Sequence, residues 1–186
     1  RYRELNVDEL ADANLIGYWR LNDSVGNTAR DLSSNRWHGT WQAVQTPFYV
    51  GGLVPIQDGG YSARFTGREM SAWSLYNAAY APILNTGNAW TAEAWIRLDR
   101  TPSPNDVTVL HMGRGVESAV TKGYPFRIRI LSTQELQVSW STTTTDKNVT
   151  LSTGYICTIG SPFHVAVVRN GTVIEVYIDG VLYDTG

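Results

Sequence analysis

The acidic residues of the 186-residue sequence do not form the pairs that glycoside hydrolysis needs. Retaining hydrolysis requires two carboxyl groups about 5 Å apart, and inverting hydrolysis about 6.5–9.5 Å. Alternate residues of a strand point to one face, so such a pair would appear as two acids two positions apart. Glu93 and Glu175 lie in strand-like runs, and none of the four residues at those positions is acidic: Thr91, Trp95, Val173 and Tyr177. No carboxylate pair is predicted.

Histidine and cysteine chemistry is not predicted either. The three histidines, His38, His111 and His164, are far apart and do not have zinc-ligand spacing. No Gly-x-Ser-x-Gly motif is present. The single cysteine, Cys157, follows Tyr155 and Ile156 in a strand-like run, which favours a buried structural thiol over a nucleophile. The sequence therefore predicts a protein that is not an enzyme.

A group of oxygen-bearing side chains near the start of the chain could hold a cation. Asp23, Asp31 and Asn35 supply the carboxylate and amide oxygens that Ca²⁺ prefers. The alternative is that Asp31 and Asn35 cap turns through hydrogen bonds from side chain to backbone. Both interpretations remain open on these residues alone. Structural Ca²⁺ is the one cofactor that they suggest.

Aromatic residues in loop-like stretches suggest a surface that binds sugars. Sugar rings stack their apolar C–H faces on flat aromatic rings, and their hydroxyls need polar partners. The candidates lie in regions rich in Asn, Gln and Ser: Trp37, Trp41, Tyr49, Trp73, Tyr76 and Tyr80. Packing in the interior is the alternative for the loop tryptophans. Trp19, Trp90 and Trp140 are predicted to lie in the core, whereas Trp95 fits a groove and a core equally well.

Charge, hydropathy and length limit the class of protein. The 15 basic and 17 acidic residues give a net charge of −2, without the basic excess typical of nucleic-acid binders. No run approaches 18 consecutive apolar residues, so no membrane insertion is predicted. The length suits one domain. Residues 1–13 are charged and polar, and we expect them to form a linker or a short helix before a domain at 14–186.

Alternating apolar and polar residues predict strands along most of the chain. The clearest runs are Leu15–Leu21, Trp90–Leu98, Tyr124–Leu131 and Leu136–Trp140. Such alternation is expected where one sheet face is packed and the other is exposed to solvent. Met70–Leu84 is ambiguous between a short helical turn and an irregular strand.

The last third of the sequence indicates consecutive hairpins. Asn170-Gly171 and Asp179-Gly180 each separate two alternating apolar runs. Dipeptides of this kind favour type I′ turns, in which both central residues have positive φ. Short strands joined by frequent turns predict an all-β, antiparallel β-sandwich.

Three blocks of sequence, in this order, carry a family resemblance: Leu15–Asp23 with Ala29–Asn35 and His38–Thr40; Ala63–Gly67 with Trp90–Ile96; Phe163–Gly171 with Val176–Gly180. This order resembles the laminin-G-like members of the concanavalin A-like lectin/glucanase superfamily. The resemblance covers about residues 14–186. It implies a jelly roll of two antiparallel sheets, often with bound calcium and usually without catalysis.

The resemblance also implies a function and a setting. Such domains serve as carbohydrate-binding or adhesion modules in secreted, cell-surface and virion proteins. The expected partners are therefore surface glycans, at an extracellular, cell-surface or virion-surface location. The family normally continues with a glycine-rich turn and a closing strand, so we expect the domain at 14–186 to lack that strand. A structural or decoration domain of a larger particle, with protein partners, is the alternative.

Overall fold

The computed structural model describes residues 5–23, 26, 28–42, 48–51, 61–64, 72–74, 89–102, 106–112, 126–141 and 148–186. They belong to two compact units, one within Arg1–Tyr80 and one within Ala81–Gly186. All strand pairs in these ranges are antiparallel, which confirms the all-β prediction. Over the same ranges, no helix is long and apolar enough to cross a membrane.

The first unit contains a short helix and five short strands: α1 (Val7–Leu10), β1 (Thr28–Ala29), β2 (Gly39–Gln42), β3 (Phe48–Gly51), β4 (Tyr61–Arg64) and β5 (Ala72–Ser74). Strands β1, β2 and β5 form one sheet in that order, and β3 pairs with β4. Helix α1 begins with a capping box, because the Asn6 side chain accepts from the Glu9 amide while the Glu9 carboxylate accepts from the Asn6 amide. Of the two expectations for residues 1–13, a short helix is present at Val7–Leu10.

The second unit is a sandwich of two four-stranded sheets. Its strands are β6 (Ala89–Arg97), β7 (Val107–Met112), β8 (Phe126–Ile130), β9 (Glu135–Ser141), β10 (Asn148–Ile156), β11 (Pro162–Asn170), β12 (Val173–Ile178) and β13 (Val181–Thr185). One sheet, here called the β8 sheet, has the order β10-β9-β8-β7. The other, called the β6 sheet, has the order β13-β12-β11-β6.

The core of this unit forms between the two sheets because each contributes an apolar face. Ile128, Leu136 and Val138 of the β8 sheet are 0% exposed, as are Val165 and Val176 of the β6 sheet. All five belong to one hydrophobic cluster. The strand predictions over β6, β8 and β9 are therefore confirmed, and so is the β-sandwich.

Two hairpins connect β11, β12 and β13. Asp179 and Gly180 have φ values of 52° and 81° between the paired residues Ile178 and Val181, as the type I′ prediction requires. The first turn lies one residue later than expected. Asn170 pairs with Val173, so the two-residue loop is Gly171-Thr172, and of these only the glycine has positive φ. A glycine at the first central position fits a type II′ turn.

The predicted strand at Leu15–Leu21 is wrong. Only an isolated bridge between Trp19 and Asp31 is present there, and Leu21 leaves the extended conformation with a φ of 54°. The predicted core position of Trp19 is also not reached, since this residue is only partly buried. Its indole N–H donates to the Trp37 carbonyl at 3.0 Å, and its ring lies so close to Gly17 that a Cβ there would collide with it. Local polar contacts thus replace sheet pairing in this segment.

Candidate functional site

Asp31 is the centre of a buried polar network in the first unit. Its side chain is 0% exposed. Oδ1 accepts from the amides of Tyr18 and Ser33, at 2.8 and 2.9 Å. Oδ2 accepts from the Ser33 hydroxyl and the Trp37 amide, both at 2.8 Å. Four donors therefore surround this carboxylate and fix the loop that follows it.

The contacts of the three candidate calcium ligands favour the turn-capping alternative. Besides the saturated Asp31, Asn35 turns its amide N–H groups towards the carbonyls of Leu15 and Ile16. Asp23 accepts from the Arg30 amide at 3.1 Å and lies 3.5 Å from its guanidinium. Ca²⁺ takes six to eight oxygen ligands, and these residues already direct their oxygens at protein donors or, for Asn35, direct N–H groups at carbonyls. These contacts argue against a calcium ion at Asp31 and Asp23, and the described residues contain no group of three or more His, Cys, Asp or Glu that could hold a metal.

A shallow hollow lies beside Asp23. Its volume is about 280 Å³, and its lining combines two arginines with polar and apolar side chains: Arg20, Asn22, Asp23, Arg30 and Leu32. The Arg30 side chain is 73% exposed and is attracted to Asp23. The hollow is an open depression rather than an enclosed ligand site.

The aromatic residues predicted to bind sugars lie in different environments. Trp37 is only 8% exposed, so the packing alternative describes it better than a ligand platform. Trp41 of β2 and Trp73 of β5 are direct partners in the strand register. Tyr49 lies in β3. Tyr76 and Tyr80 fall outside the described residues.

Ser33, Asp31 and His38 lie close together but do not form a nucleophilic triad. The Ser33 hydroxyl donates to Asp31, and His38 Nδ1 accepts from the Asp31 amide at 3.1 Å. A triad instead needs an accessible hydroxyl that donates to the imidazole. Ser33 is 0% exposed, so its hydroxyl cannot reach a substrate. The arrangement is structural.

Cys157 is a structural thiol, as predicted. It is 0% exposed and belongs to the core cluster of the sandwich. Burial raises its pKa to about 11. Because the thiolate is the nucleophilic form, this residue stays unreactive at neutral pH.

The side of the β6 sheet that points away from the core presents a partly exposed set of aromatic and charged residues, here called the Trp95 face. Core residues alternate with this set along each strand. Its members are Glu93, Trp95 and Arg97 of β6, His164, Ala166 and Val168 of β11, and Glu175 and Tyr177 of β12.

The side chain of His164 on β11 contacts two side chains of β6, those of Trp95 and Glu93, at one end of the Trp95 face. Its register partner is Trp95, and the two ring centroids are 5.3 Å apart at 47°. Its Nε2 lies 3.4 Å from Oε2 of Glu93, whose side chain is 61% exposed. The hydrogen bond with His164 lowers the pKa of Glu93, partial burial opposes this effect, and the electrostatic interaction with His164 lowers the pKa further. Glu93 is therefore a charged, solvent-facing carboxylate next to a ring pair.

A second carboxylate and ring lie on β12 of the same face. The Tyr177 hydroxyl donates to Oε2 of Glu175 at 2.9 Å. This hydrogen bond raises the pKa of Tyr177, because the bound proton is harder to remove. Tyr177 pairs with Ala166 in the register, and Ala166 pairs with Glu93. The strands thus bring three rings, of Trp95, His164 and Tyr177, and two carboxylates onto one face from distant parts of the sequence.

The sandwich with its exposed sheet face can be compared with known families. The model of the laminin-G-like family, described as the concanavalin A-like lectin/glucanases superfamily, matches residues 71–186. The chain belongs to this superfamily. Comparisons with curated proteins and with solved structures gave no match. The superfamily match includes every strand of the sandwich, whereas the first resembling block, Leu15–Thr40, and the Ala63–Gly67 part of the second precede it.

Membership of the superfamily confirms the predicted family and implies a lectin-like binding module, although the superfamily also contains glucanases. The sequence alone did not select His164 or Tyr177 as site residues. Their alternation with buried Val165 and Val176 was a usable signal for an outward position. The pairing of Tyr177 with Ala166 could not be predicted from the sequence, because the predicted turn at Asn170-Gly171 lies one residue before the observed turn.

Proposed function

We propose that this domain is a non-catalytic recognition module that binds glycans. The observation that carries the proposal is the Trp95–His164 ring pair beside the solvent-facing Glu93 carboxylate. A partly exposed tryptophan offers an apolar surface for the C–H side of a sugar, and a neighbouring carboxylate accepts hydrogen bonds from hydroxyls. The second pair, Tyr177 with Glu175, extends these features across the same sheet face.

Several contacts support a role without catalysis. Glu93 and Glu175 lie on strands separated by β11 and are offset by two residues in the register. Two strand spacings of about 4.8 Å and two rises of about 3.4 Å place their Cα atoms about 12 Å apart. Each carboxylate is engaged by a side chain, His164 or Tyr177, rather than by another acid. Neither contact resembles a carboxylate pair of a glycoside hydrolase.

The proposed setting is a larger secreted, cell-surface or virion-surface protein. Binding modules of this superfamily act where glycans are displayed, which is the reason for the extracellular assignment. Structural Ca²⁺ at Asp23, Asp31 and Asn35 stays a prediction from the sequence, against which the contacts of Asp31 argue.

A glycan array probed with and without calcium tests the proposal. We expect binding by the unmodified domain and loss of that binding in Trp95→Ala. Tyr183→Ala is the matched control, because Tyr183 is 49% exposed but contacts Tyr155 of the other sheet rather than the Trp95 face. Thermal unfolding of each variant verifies that it is folded. Blank arrays for a folded domain, or equal binding by Trp95→Ala, would contradict the proposal.

A structural or assembly role with a protein partner is the second candidate. One observation favours it: strand β13 is at the edge of the β6 sheet and exposes apolar side chains, with Val181 at 70% and Leu182 at 49%. Exposed apolar edge strands promote pairing with another chain. Sedimentation velocity of the domain and of Leu182→Lys distinguishes the roles. Concentration-dependent association that the substitution removes would favour assembly.

A further inference from the structure

We propose that the Trp95 face selects glycans with free amino groups, whose ammonium groups contact Glu93 and Glu175 while a sugar ring stacks on Trp95. The inference rests on the proposed function and names its ligand class. Amino sugars without N-acetylation combine a stackable ring with a positive charge. That combination matches the combination of rings and carboxylates on this face.

The charge of the face is predominantly negative. Glu93 and Glu175 lie on it, and the exposed Asp179 is adjacent, where its Oδ1 accepts from the His164 amide at 2.8 Å. Of the described basic groups there, Arg97 donates to Asp99 at 2.8 Å, which offsets its charge. His164 contacts Glu93. A cationic ligand is attracted to such a surface, and an anionic one is repelled.

The acidity is a property of this face and not of the whole domain. The net charge of the full sequence is only −2. The outward residues of β8 in the other sheet are basic, Arg127 and Arg129, and Arg129 contacts Asp106 and Gln137. Asp106 and Glu135 offset these two arginines, so the described charges on the outer side of the β8 sheet balance, whereas the Trp95 face with Asp179 has an excess of carboxylates.

The strand register also places a small residue between larger side chains on this face. One row across the sheet consists of Glu93, Ala166, Tyr177 and Leu182. Ala166, the smallest side chain on this face, lies between Glu93 and Tyr177. Its two partners in the row, Glu93 and Tyr177, are both larger, so a ligand ring would meet the least side-chain bulk at Ala166. A ligand placed there has Glu93 and the Trp95–His164 pair on one side and Tyr177 with Glu175 on the other.

The charge of the ligand makes the inference specific. N-acetylation removes the ammonium charge from the same sugar backbone, and a uronic acid replaces it with a negative charge. Contacts between partly exposed charges are each worth about 0–1 kcal/mol, so two of them at about 0.7 kcal/mol each give roughly tenfold discrimination. The attraction must also weaken with salt, because the Debye length falls to about 3 Å at about 1 M.

Isothermal titration calorimetry with four tetrasaccharides tests the inference: glucosamine, N-acetylglucosamine, glucose and glucuronate. The measurements are made at about pH 6, where amines and carboxylates are both charged. We expect the glucosamine tetrasaccharide to bind roughly tenfold more tightly than the neutral ones, and glucuronate not to bind. Each of Glu93→Gln and Glu175→Gln reduces glucosamine binding by about threefold. Glu135→Gln, in the other sheet, is the matched control and leaves binding unchanged; the amide can still accept from the Gly154 N–H.

The possible results separate this inference from the proposed function. Equal binding of all uncharged and cationic sugars, lost in Trp95→Ala, would overturn the amino-sugar inference and leave glycan recognition standing. No binding of any sugar would contradict both. Tight binding of a lysine-rich peptide, with no glycan binding, would mean that the acidic face takes a protein. If Trp95→Ala does not fold, Glu93→Gln and the salt dependence still decide between these results.

Discussion

The Glu93 carboxylate lies 3.4 Å from the imidazole of His164, although Glu93 is two residues along β6 from the direct cross-strand partner of that histidine. The direct partner of His164 is Trp95, so the imidazole contacts a ring on one side and a carboxylate on the other. This diagonal arrangement leaves 61% of the Glu93 side chain exposed while it fixes the direction of the carboxylate. The contact thus serves both the stability of the sheet and the character of its outward face.

Acid should weaken the contribution of this contact to stability. The folded-state pKa of Glu93 is below the ordinary glutamate value of 4.5. A lowered pKa of an acid stabilises the fold above the unfolded pKa, and that contribution is lost as the pH falls through the folded value. The free energy of unfolding, measured by urea denaturation, should therefore fall less steeply in Glu93→Gln than in the wild type between about pH 5 and pH 3.

Glu135→Gln serves as the control for removal of a carboxylate from the other sheet. Parallel pH profiles for the wild type and Glu93→Gln would show that the contact with His164 does not contribute to stability.

The sandwich was predictable because its signals are local. Alternation places Phe126, Ile128 and Ile130 on one face of β8, and these residues are buried as expected. Two outward positions of β9 nevertheless turned out to be buried: Gln137 accepts from Arg129 at 2.6 Å, and Ser139 contacts Thr150. Polar side chains from neighbouring strands cover one another there, which alternation within one strand does not indicate.

The site was less predictable, for two physical reasons. The contacts of Asp31 depend on amides up to 13 residues away, so the sequence could not decide between capping and calcium. The Trp95 face depends on the register of three strands, and a shift of one residue in the turn at Gly171 changes which residues meet. Leu15–Leu21 alternates like a strand, but it does not form one, because Leu21 has a positive φ and the Trp19 side chain donates to the Trp37 carbonyl.

Alkaline conditions should destabilise the sandwich through Cys157. Its folded-state pKa is about 11, compared with 9.0 for an unperturbed thiol. A raised pKa stabilises the fold below the unfolded value, and the contribution is lost as the pH rises towards the folded value. The two-unit difference corresponds to about 3 kcal/mol between about pH 9 and pH 11. Cys157→Ala should therefore lose less stability than the wild type over this range, measured by urea denaturation.

Tyrosines also titrate in this range, since burial raises the pKa of Tyr155. Comparison of the two proteins at each pH removes the tyrosine contribution that they share and leaves the effect of the thiol, including its interaction with Tyr155. An identical decline in both would contradict the assignment.

Replacement of Asp31 by Asn should break hydrogen bonds in the polar network of the first unit and destabilise the loop that they hold. Asn presents one oxygen and one NH₂ group, so the NH₂ group faces donors such as the Trp37 amide that now lack an acceptor. The cost of leaving such buried donors unsatisfied is about 2–4 kcal/mol. Faster hydrogen exchange at the Tyr18 and Trp37 amides measures the effect. Asp12→Asn is the control, because Asp12 is exposed and its side chain accepts from Asn14, two residues away.

Calcium should leave thermal unfolding unchanged if Asp31 caps its loop as the contacts indicate. Both of its oxygens accept two hydrogen bonds, so an ion would have to displace protein donors. The measurement is the unfolding temperature at neutral pH with excess calcium and with EDTA. A higher temperature with calcium that disappears in Asp31→Asn or Asn35→Ala would restore the calcium-site hypothesis.

The turn before β13 gives a graded test of the hairpin. Gly180 has a φ of 81° with open space around its missing Cβ, so Gly180→Ala should cost about 1 kcal/mol from backbone strain alone. Asp179→Ala should cost about 1–2 kcal/mol, because it loses the acceptor for the His164 amide as well as tolerance for positive φ. Asp179→Asn keeps both properties and should change stability by less than about 0.5 kcal/mol. Equal costs for the two Asp179 variants in urea denaturation would show that the contact with His164 contributes nothing to the hairpin.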